Sequence, residues 1–433
     1  LDAVVLLGSC DKIVPAMLMA AARLDLPAII VVGGPMEGGC RFDGRSADIT
    51  SVMEGLGMLN TGKIDEASYR TLENCAGPTC GSCSFLGTAN TMCCVAEAMG
   101  LSLPGSATIP ATYADRLRVA QASGRQIVAL VKAGITARKI LNQKGIENGI
   151  RLSTAIGGST NVALHIPAIG YEADCEISMD LFEKLCRSTP HSAKMTPAAA
   201  PNVPDFHQAG GVSAVMKELL PILHGDALTV TGKTIAENVA AVAAADRAII
   251  KTMADPWSKE GGLAVLQGNL APNTAVTKPA AIHPDMHTFT GKAHCFDSEE
   301  AANEAILQGK VIAGEVVVIR YEGPKGGPGM REMYKAMKLL YGRGLALTTA
   351  LVTDGRFSGT NNGCFVGHIS PEAAEGGPLA VVENGDEITI DIADRKLNLH
   401  LSDLEIQDRL SKWQRPAPKF KSGYLALYSR LAE

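Results

Sequence analysis

Val4-Val5-Leu6-Leu7-Gly8-Ser9-Cys10-Asp11-Lys12 is the stretch from which the fold can be read. A short apolar run bounded by glycine is the pattern of a buried strand emptying into a loop, and open α/β sheets place their ligands at such strand ends. Here a thiol, a carboxylate and an amine follow in consecutive positions. Pro15–Ala22 has helical character, with proline near the first turn, where its missing N–H does no harm. Ala28-Ile29-Ile30-Val31-Val32 is a second buried run, ended by Gly33-Gly34-Pro35. Strand, helix and strand at this spacing form a βαβ unit and imply a parallel sheet.

Outward from this unit the chain reads as helix-rich. Helical patterns are expected at Asp48–Gly55 and Ile64–Thr71, across Phe85–Met99, and through Tyr113–Leu141. Gly157-Gly158-Ser159-Thr160-Asn161 opens another, with Ser159 or Thr160 as its N-cap, or as a substrate contact. An Ala-heavy helical run, Ile235–Ile250, closes this part. Near Met253–Trp257 the texture changes to short strands and turns: Leu263–Leu266, Val311–Ile319, Leu345–Val352 and Leu379–Val382. Ile388, Ile390 and Ile392 alternate with polar residues and pair with Leu397, Leu399 and Leu401 across Asp394-Arg395-Lys396, a hairpin. The domain boundary is placed at residue 255, giving domains 1–255 and 256–433. The tail, with Trp413 and Tyr424, reads as a packing arm.

The 433 residues suffice for two or three domains with real cores. With 46% apolar but only 4% aromatic residues, Ala, Gly, Val and Leu carry those cores. A net charge of −5 argues against nucleic acid or anionic membrane as a main partner, and no apolar run approaches the ~20 residues of a membrane span. The chain has no initiator Met and enters a core strand within three residues, so an N-terminal segment is expected to precede it. Eleven cysteines, an odd number, do not suggest a secreted disulfide framework; a reducing, cytoplasmic compartment fits best. Cys93, Cys94 and Cys186 read as small core hydrophobes.

Cys75, Cys80 and Cys83 form C-x4-C-x2-C. No second matched pair follows at zinc-ribbon spacing, and a thioredoxin-like pair would follow the first strand of its own fold. The spacing also resembles a plant-type iron–sulfur run. Cys83 falls beside a helix N-terminus, where backbone N–H groups favour a thiolate. His283, His287 and His294 form no metalloprotease-type zinc pair and read as ordinary polar positions.

Six motifs, in order and spacing, resemble the dihydroxy-acid and sugar-acid dehydratase family (the IlvD/Edd dehydratases). They are Gly8–Lys12; Pro78–Cys83 running into Thr88-Ala89-Asn90-Thr91-Met92; Gly157–Asn161; Gly323–Met330; Asp354-Gly355-Arg356-Phe357-Ser358-Gly359; and His368–Ala373. The resemblance spans essentially the whole chain. It implies an α/β fold: an N-terminal three-layer α/β/α domain with a parallel sheet, and a C-terminal β-barrel-like α+β domain, assembled as a homodimer or homotetramer. It also implies a [2Fe–2S] or [4Fe–4S] cluster on three cysteines with Mg²⁺ beside it. Cys10 matches the middle cluster cysteine and Cys83 the last, while the first, and one magnesium-binding glutamate, would lie upstream of Leu1. Asp11, Lys12 as a carbamate, and Glu332 match magnesium ligands, and Ser358 matches the catalytic base. Thr360 matches a residue that contacts substrate hydroxyls in the sugar-acid branch.

Elementary chemistry bears on each role. Mg²⁺ takes near-octahedral oxygen ligands, which Asp11 and Glu332 supply. An ammonium cannot ligate a metal, so Lys12 is either a charge partner or a carbamate. A cluster on three thiolates leaves an iron position open to a substrate hydroxyl. The Ser358 hydroxyl becomes a plausible base only near metal charge; otherwise it is a turn serine between glycines. The resulting expectation is a hydro-lyase converting a 2,3-dihydroxycarboxylic acid of the 2,3-dihydroxyisovalerate type into a 2-keto acid, in branched-chain amino acid biosynthesis. A sugar-acid substrate is the alternative within the family, and a non-catalytic iron–sulfur electron carrier is the rival outside it.

Overall fold

β1 (Val4–Gly8) and β2 (Ala28–Val32) pair in parallel, Val4 opposite Ala28 through Gly8 opposite Val32, and helix Ile13–Leu24 makes the crossover between them. The computed structural model describes residues 1–359 and 362–432. β2 is buried along its length, as the uninterrupted apolar run requires. β1 is not: Val5 and Leu7 are 47% and 69% exposed, so this strand covers one face and shows the other. Helix Thr88–Ala98 is buried at every position and packs against helices Ile13–Leu24, Gln143–Ala155 and Val162–Glu172. Cys93, Cys94 and Cys186 are buried among them as small apolar groups. A short hairpin, β3 (Arg41–Phe42) with β4 (Arg45–Ser46), projects from the glycine-rich loop after β2.

Two expected elements do not form. Only Ile235–Val239 of the Ala-heavy run is helical, started by a Thr234–Glu237 capping box. Residues 240–248 are mostly exposed, and alanine without an apolar face to bury gives a helix little tertiary support. Leu379–Val382 is a 3₁₀ turn (Pro378–Val381) in place of a strand. The Arg320 guanidinium donates to the carbonyls of Ala380 (3.0 Å) and Val382 (2.9 Å), capturing acceptors a ladder would need.

The second half of the chain closes into a barrel. Its strands are β5 (Ala264–Gly268), β6 (Ala271–Thr277), β7 (Thr288–Phe296), β8 (Glu315–Ile319), β9 (Ala350–Thr353), β10 (Cys364–Ser370), β11 (Glu387–Asp391) and β12 (Lys396–Leu399). They run β10-β6-β5-β12-β11-β7-β8-β9 around the closed sheet. The hairpin forms in the expected register, with Ile388 opposite Leu399 and Ile390 opposite Leu397. The two-residue period of the strands sorts their side chains. Val316, Val318, Ala350, Val352, Cys364 and Val366 join one core with Ile388, Ile390, Leu397 and Leu399. The intervening Val317, Ile319, Leu351 and Phe365 meet Ile306, Met337 and Leu340 of the crossover helices Glu299–Leu307 and Tyr334–Arg343 in another. β7, β8, β9 and β10 are successive parallel neighbours, so β8 and β9 release their following loops at the same rim.

By contacts the chain divides into two units, Leu1–Ile49 with Asn74–Gly262, and Thr50–Glu73 with the chain from Leu263 onward. A single division at residue 255 does not contain this excursion. Helix Ser51–Asn60 belongs with the barrel unit and packs on helix Tyr334–Arg343. The two backbones meet at Gly57 and Gly342, where a Cβ on Gly57 would lie 3.0 Å from the Leu339 carbonyl and one on Gly342 would overlap that of Glu54. No helix of the described residues is long and apolar enough to cross a membrane.

Candidate active site

The two units carry the sequence-predicted residues in two groups. In the first unit, the loop after β1 leads into helix Ile13–Leu24, with Cys10 exposed, Asp11 half-buried and Lys12 at the N-cap position. Lys12 Nζ lies 2.8 Å from Asp11 Oδ2 and 2.9 Å from Oδ1, an ion pair between neighbours. The exit of β2 brings the cysteine loop alongside. Ser82 N–H donates to the Gly34 carbonyl (2.9 Å), and Met36 N–H donates to that of Ser82 (2.7 Å). Gly81 passes so close to the Pro35–Met36 backbone, at φ +129°, that no side chain fits. The loop after β1 and the cysteine loop, held against the exit of β2, thereby bring Cys10, Asp11 and Cys83 into one electrostatic neighbourhood, together with Asp48.

Cys83 differs from expectation. It precedes the N-cap, Gly87, by four residues, beyond the reach of the helix terminus. Burial, chiefly, pushes its thiol up to about 12, with Asp48, Cys10 and Asp11 adding in the same direction. Its loop is held by buried polar side chains from two of the motifs. Asn90 Nδ2 donates to the carbonyls of Cys83 and of Phe85 (2.8 Å), and Ser82 Oγ donates to Asn90 Oδ1 (2.9 Å). Thr88 Oγ1 bonds Ser159 Oγ (2.8 Å) and accepts from Asn161 Nδ2 (2.8 Å). Ser159 and Thr160 are fully buried, and the N-cap of helix Val162–Glu172 is Asn161. Ser159 thus locks one motif to the other and does not cap.

Cys75 forms a disulfide with Cys40, Cα–Cα 5.6 Å, an exception to the expected free thiols. C-x4-C-x2-C is therefore not a set of three available ligands; Cys80 and Cys83 remain thiols.

In the second unit, the loops after β8 and β9 carry Glu332 and Ser358, both half-buried. A parallel bridge joins Glu332 to Arg356, Met333 N–H donates to the Arg356 carbonyl (2.7 Å), and Arg356 Nε donates to that of Met330. Asp354 is buried beneath them and accepts from the N–H groups of Glu322 (2.9 Å), Tyr321 (3.1 Å) and Ala373 (2.9 Å). Burial nevertheless raises its carboxyl to about 6. Glu372 accepts from Lys325 N–H and Gly326 N–H, each at 2.8 Å. Three motifs are so tied into one knot. Three of its residues, Tyr321, Met330 and His368, hold positive φ without being glycine, a cost of order 1–3 kcal/mol each that surrounding bonds must sustain. Thr360 lies outside the described residues. A cavity of about 420 Å³ lined by Tyr321, Lys325, Gly326, Arg415 and Lys419 includes neither Glu332 nor Ser358.

Among the described residues no three His, Cys, Asp or Glu side chains converge as a metal site. The donor chemistry of the first group still suits cations. Cys10 and Cys83 are soft ligands and Asp11 and Asp48 hard ones; burial is the main cause of the raised Cys83 pKa, and the smaller contribution of the neighbouring acidic groups is one that a bound cation would offset. Asp48, Asp354, Glu54 and Lys278 were not singled out from sequence. Asp354 was within reach, since it opens the Asp354–Gly359 motif.

Two family models cover the chain: dihydroxy-acid/6-phosphogluconate dehydratase N-terminal over residues 1–238 and its C-terminal counterpart over 248–433. The chain belongs to this family and is an enzyme of the hydro-lyase class. It is 52% identical, over 431 residues, to a dihydroxy-acid dehydratase of Caldanaerobacter subterraneus subsp. tengcongensis, covering 99% of this chain and 77% of that one. The dihydroxy-acid dehydratases of Desulfosudis oleivorans and Acetivibrio thermocellus are each 48% identical, over 99% of this chain and 78% of theirs.

Proposed function

We propose that the protein dehydrates a 2,3-dihydroxycarboxylic acid of the 2,3-dihydroxyisovalerate type to the 2-keto acid, within branched-chain amino acid biosynthesis in the cytoplasm, as a homodimer or homotetramer. The observation that carries this is the knot of motifs at one barrel rim, which pairs the Glu332 segment with the Ser358 segment through the Glu332–Arg356 bridge. The shared name of the relatives supports the substrate class. Cys10 and Cys83 would hold a [2Fe–2S] or [4Fe–4S] cluster, and Asp11, Glu332 and a carbamylated Lys12 would hold Mg²⁺. When bound, these groups supply Lewis acidity toward the substrate carboxylate and hydroxyls.

The residues then have distinct tasks. Ser358 Oγ, as its alkoxide, takes the proton from C2 as the C3–O bond breaks and passes it to the departing hydroxide, which leaves as water with the alkoxide regenerated; the enol that remains tautomerises to the 2-keto acid. Asp354 and Arg356 keep the serine loop in register with Glu332. Carbamylation of Lys12 replaces its charge with anionic oxygens and frees Asp11 from the ion pair.

The test is keto-acid formation by the anaerobically reconstituted protein and its Ser358→Ala variant. The variant should lose several orders of magnitude in kcat with iron and magnesium contents intact, since it removes a proton acceptor and not a ligand. A loss of only about tenfold would demote Ser358 to substrate positioning. A protein that holds a cluster yet dehydrates no dihydroxy acid would be the electron carrier instead.

A further inference from the structure

Lys278 is the residue after β6, with 1% of its surface exposed. Its Nζ donates to the Gly359 carbonyl at 3.0 Å, one residue beyond Ser358. Gly359 stands at φ +81°, in the left-handed region that favours glycine. On the other side of residues 360 and 361, Asn362 Nδ2 donates to Glu54 Oε1 (3.3 Å). Glu54 is fully buried and also accepts from Lys338 Nζ at 2.8 Å. Two buried polar heads, one from the barrel and one from the excursion helix Ser51–Asn60, therefore hold the Gly359 carbonyl and the Asn362 side chain.

We propose that Lys278 is a positioning residue for the dehydration, fixing the Ser358–Gly359 turn through its bond to the Gly359 carbonyl, with Glu54 securing the same segment at Asn362. This rests on the reading of Ser358 as the base. An apolar side chain of equal length would fill the space without burying a polar head, so what the amine specifically supplies is its bond to the Gly359 carbonyl. Burial and the Lys338 ammonium push Lys278 down to about 7, so the amine can donate its hydrogen bond without adding a full charge beneath the serine. The charged groups facing it are Lys338 and, through that residue, Glu54.

The experiment measures kcat, KM and iron and magnesium contents for Lys278→Met, Lys278→Ala, Ser358→Ala and the Lys278→Met/Ser358→Ala double variant of the reconstituted enzyme. Lys278→Met should lose at least tenfold in kcat, with KM within about threefold and metal contents unchanged. The double variant should be no slower than Ser358→Ala alone, since a residue acting through Ser358 has nothing left to position. In Lys278→Ala, added n-propylamine should restore kcat by completing the missing side chain. This arm decides the matter if Lys278→Met does not fold: return of activity supports the role and its absence overturns it. A wild-type kcat in Lys278→Met beside a collapsed Ser358→Ala overturns the positioning role alone, as does a multiplicative loss in the double variant. An undiminished Ser358→Ala overturns the proposed base instead.

Discussion

Replacing Lys278 by Met should change how the stability of the barrel unit depends on pH. In the folded protein, burial and Lys338 lower the amine from 10.5 to about 7. Below pH 7 the folded and unfolded chains both carry the proton, and this group adds no slope. Between 7 and 10.5 the unfolded chain keeps a proton that the folded chain has released, so stability rises with pH, by about 1.4 kcal/mol per unit. From pH 7 to 9 the wild type should gain about 2.3 kcal/mol over Lys278→Met, which has nothing to titrate, because the slope is half its full value at pH 7 itself. The variant also leaves the Gly359 carbonyl unpaired, a cost of about 1–3 kcal/mol that does not vary with pH. The protein has two tryptophans, Trp257 and Trp413. In a Trp257→Phe background, urea unfolding followed by fluorescence therefore reports on the barrel unit through Trp413. Measured in half-unit steps from pH 7 to 9, wild-type and variant curves that run parallel within about 0.5 kcal/mol would show that Lys278 stays charged when buried, and would refute the reasoning.

Cys10→Ser and Cys83→Ser should each abolish the visible absorbance of the cluster, whereas Cys75→Ser should not; full retention of iron in Cys83→Ser would make Cys80 the ligand. Glu54→Leu strands the buried Lys338 ammonium and should cost about 3–5 kcal/mol in urea unfolding, most of it recovered by adding Lys338→Met. In kcat/KM comparisons, 2,3-dihydroxyisovalerate should exceed gluconate and arabinonate. A sugar acid preferred by about tenfold, worth about 1.4 kcal/mol of transition-state binding, would move the enzyme to the sugar-acid branch.

Legibility followed the range of the interactions. The βαβ unit and the 388–401 hairpin were readable because their periods and bounding turns are local. The motifs around Cys10, Glu332 and Ser358 were readable by resemblance to a family. What escaped was set by distant packing. Ile235–Ile250 has helical composition but only Ile235–Val239 finds the support to coil. A charged residue in a sequence reads as solvated, so nothing marked Glu54, Lys278 or Asp48 as buried. Cys40 and Cys75, 35 residues apart, carry no spacing signal that they meet. Nor does an amphipathic helix announce which of two cores it will join, which is why the excursion went unseen.

That excursion has a consequence for synthesis. Thr50–Glu73 leaves the ribosome early, but the remainder of its unit begins only at Leu263. At roughly 5–20 residues per second, the helix that presents Glu54 must wait on the order of 10–40 s for the barrel even to begin. The first unit can close as soon as residue 262 has emerged, around a tethered segment that has nothing yet to pack against. The order of manufacture is thus inverted for these residues, which are translated well before the rest of their unit and are among the last to find their places. No single scission of the gene yields two self-sufficient halves, because a fragment starting at Leu263 would bury Lys338 without its carboxylate.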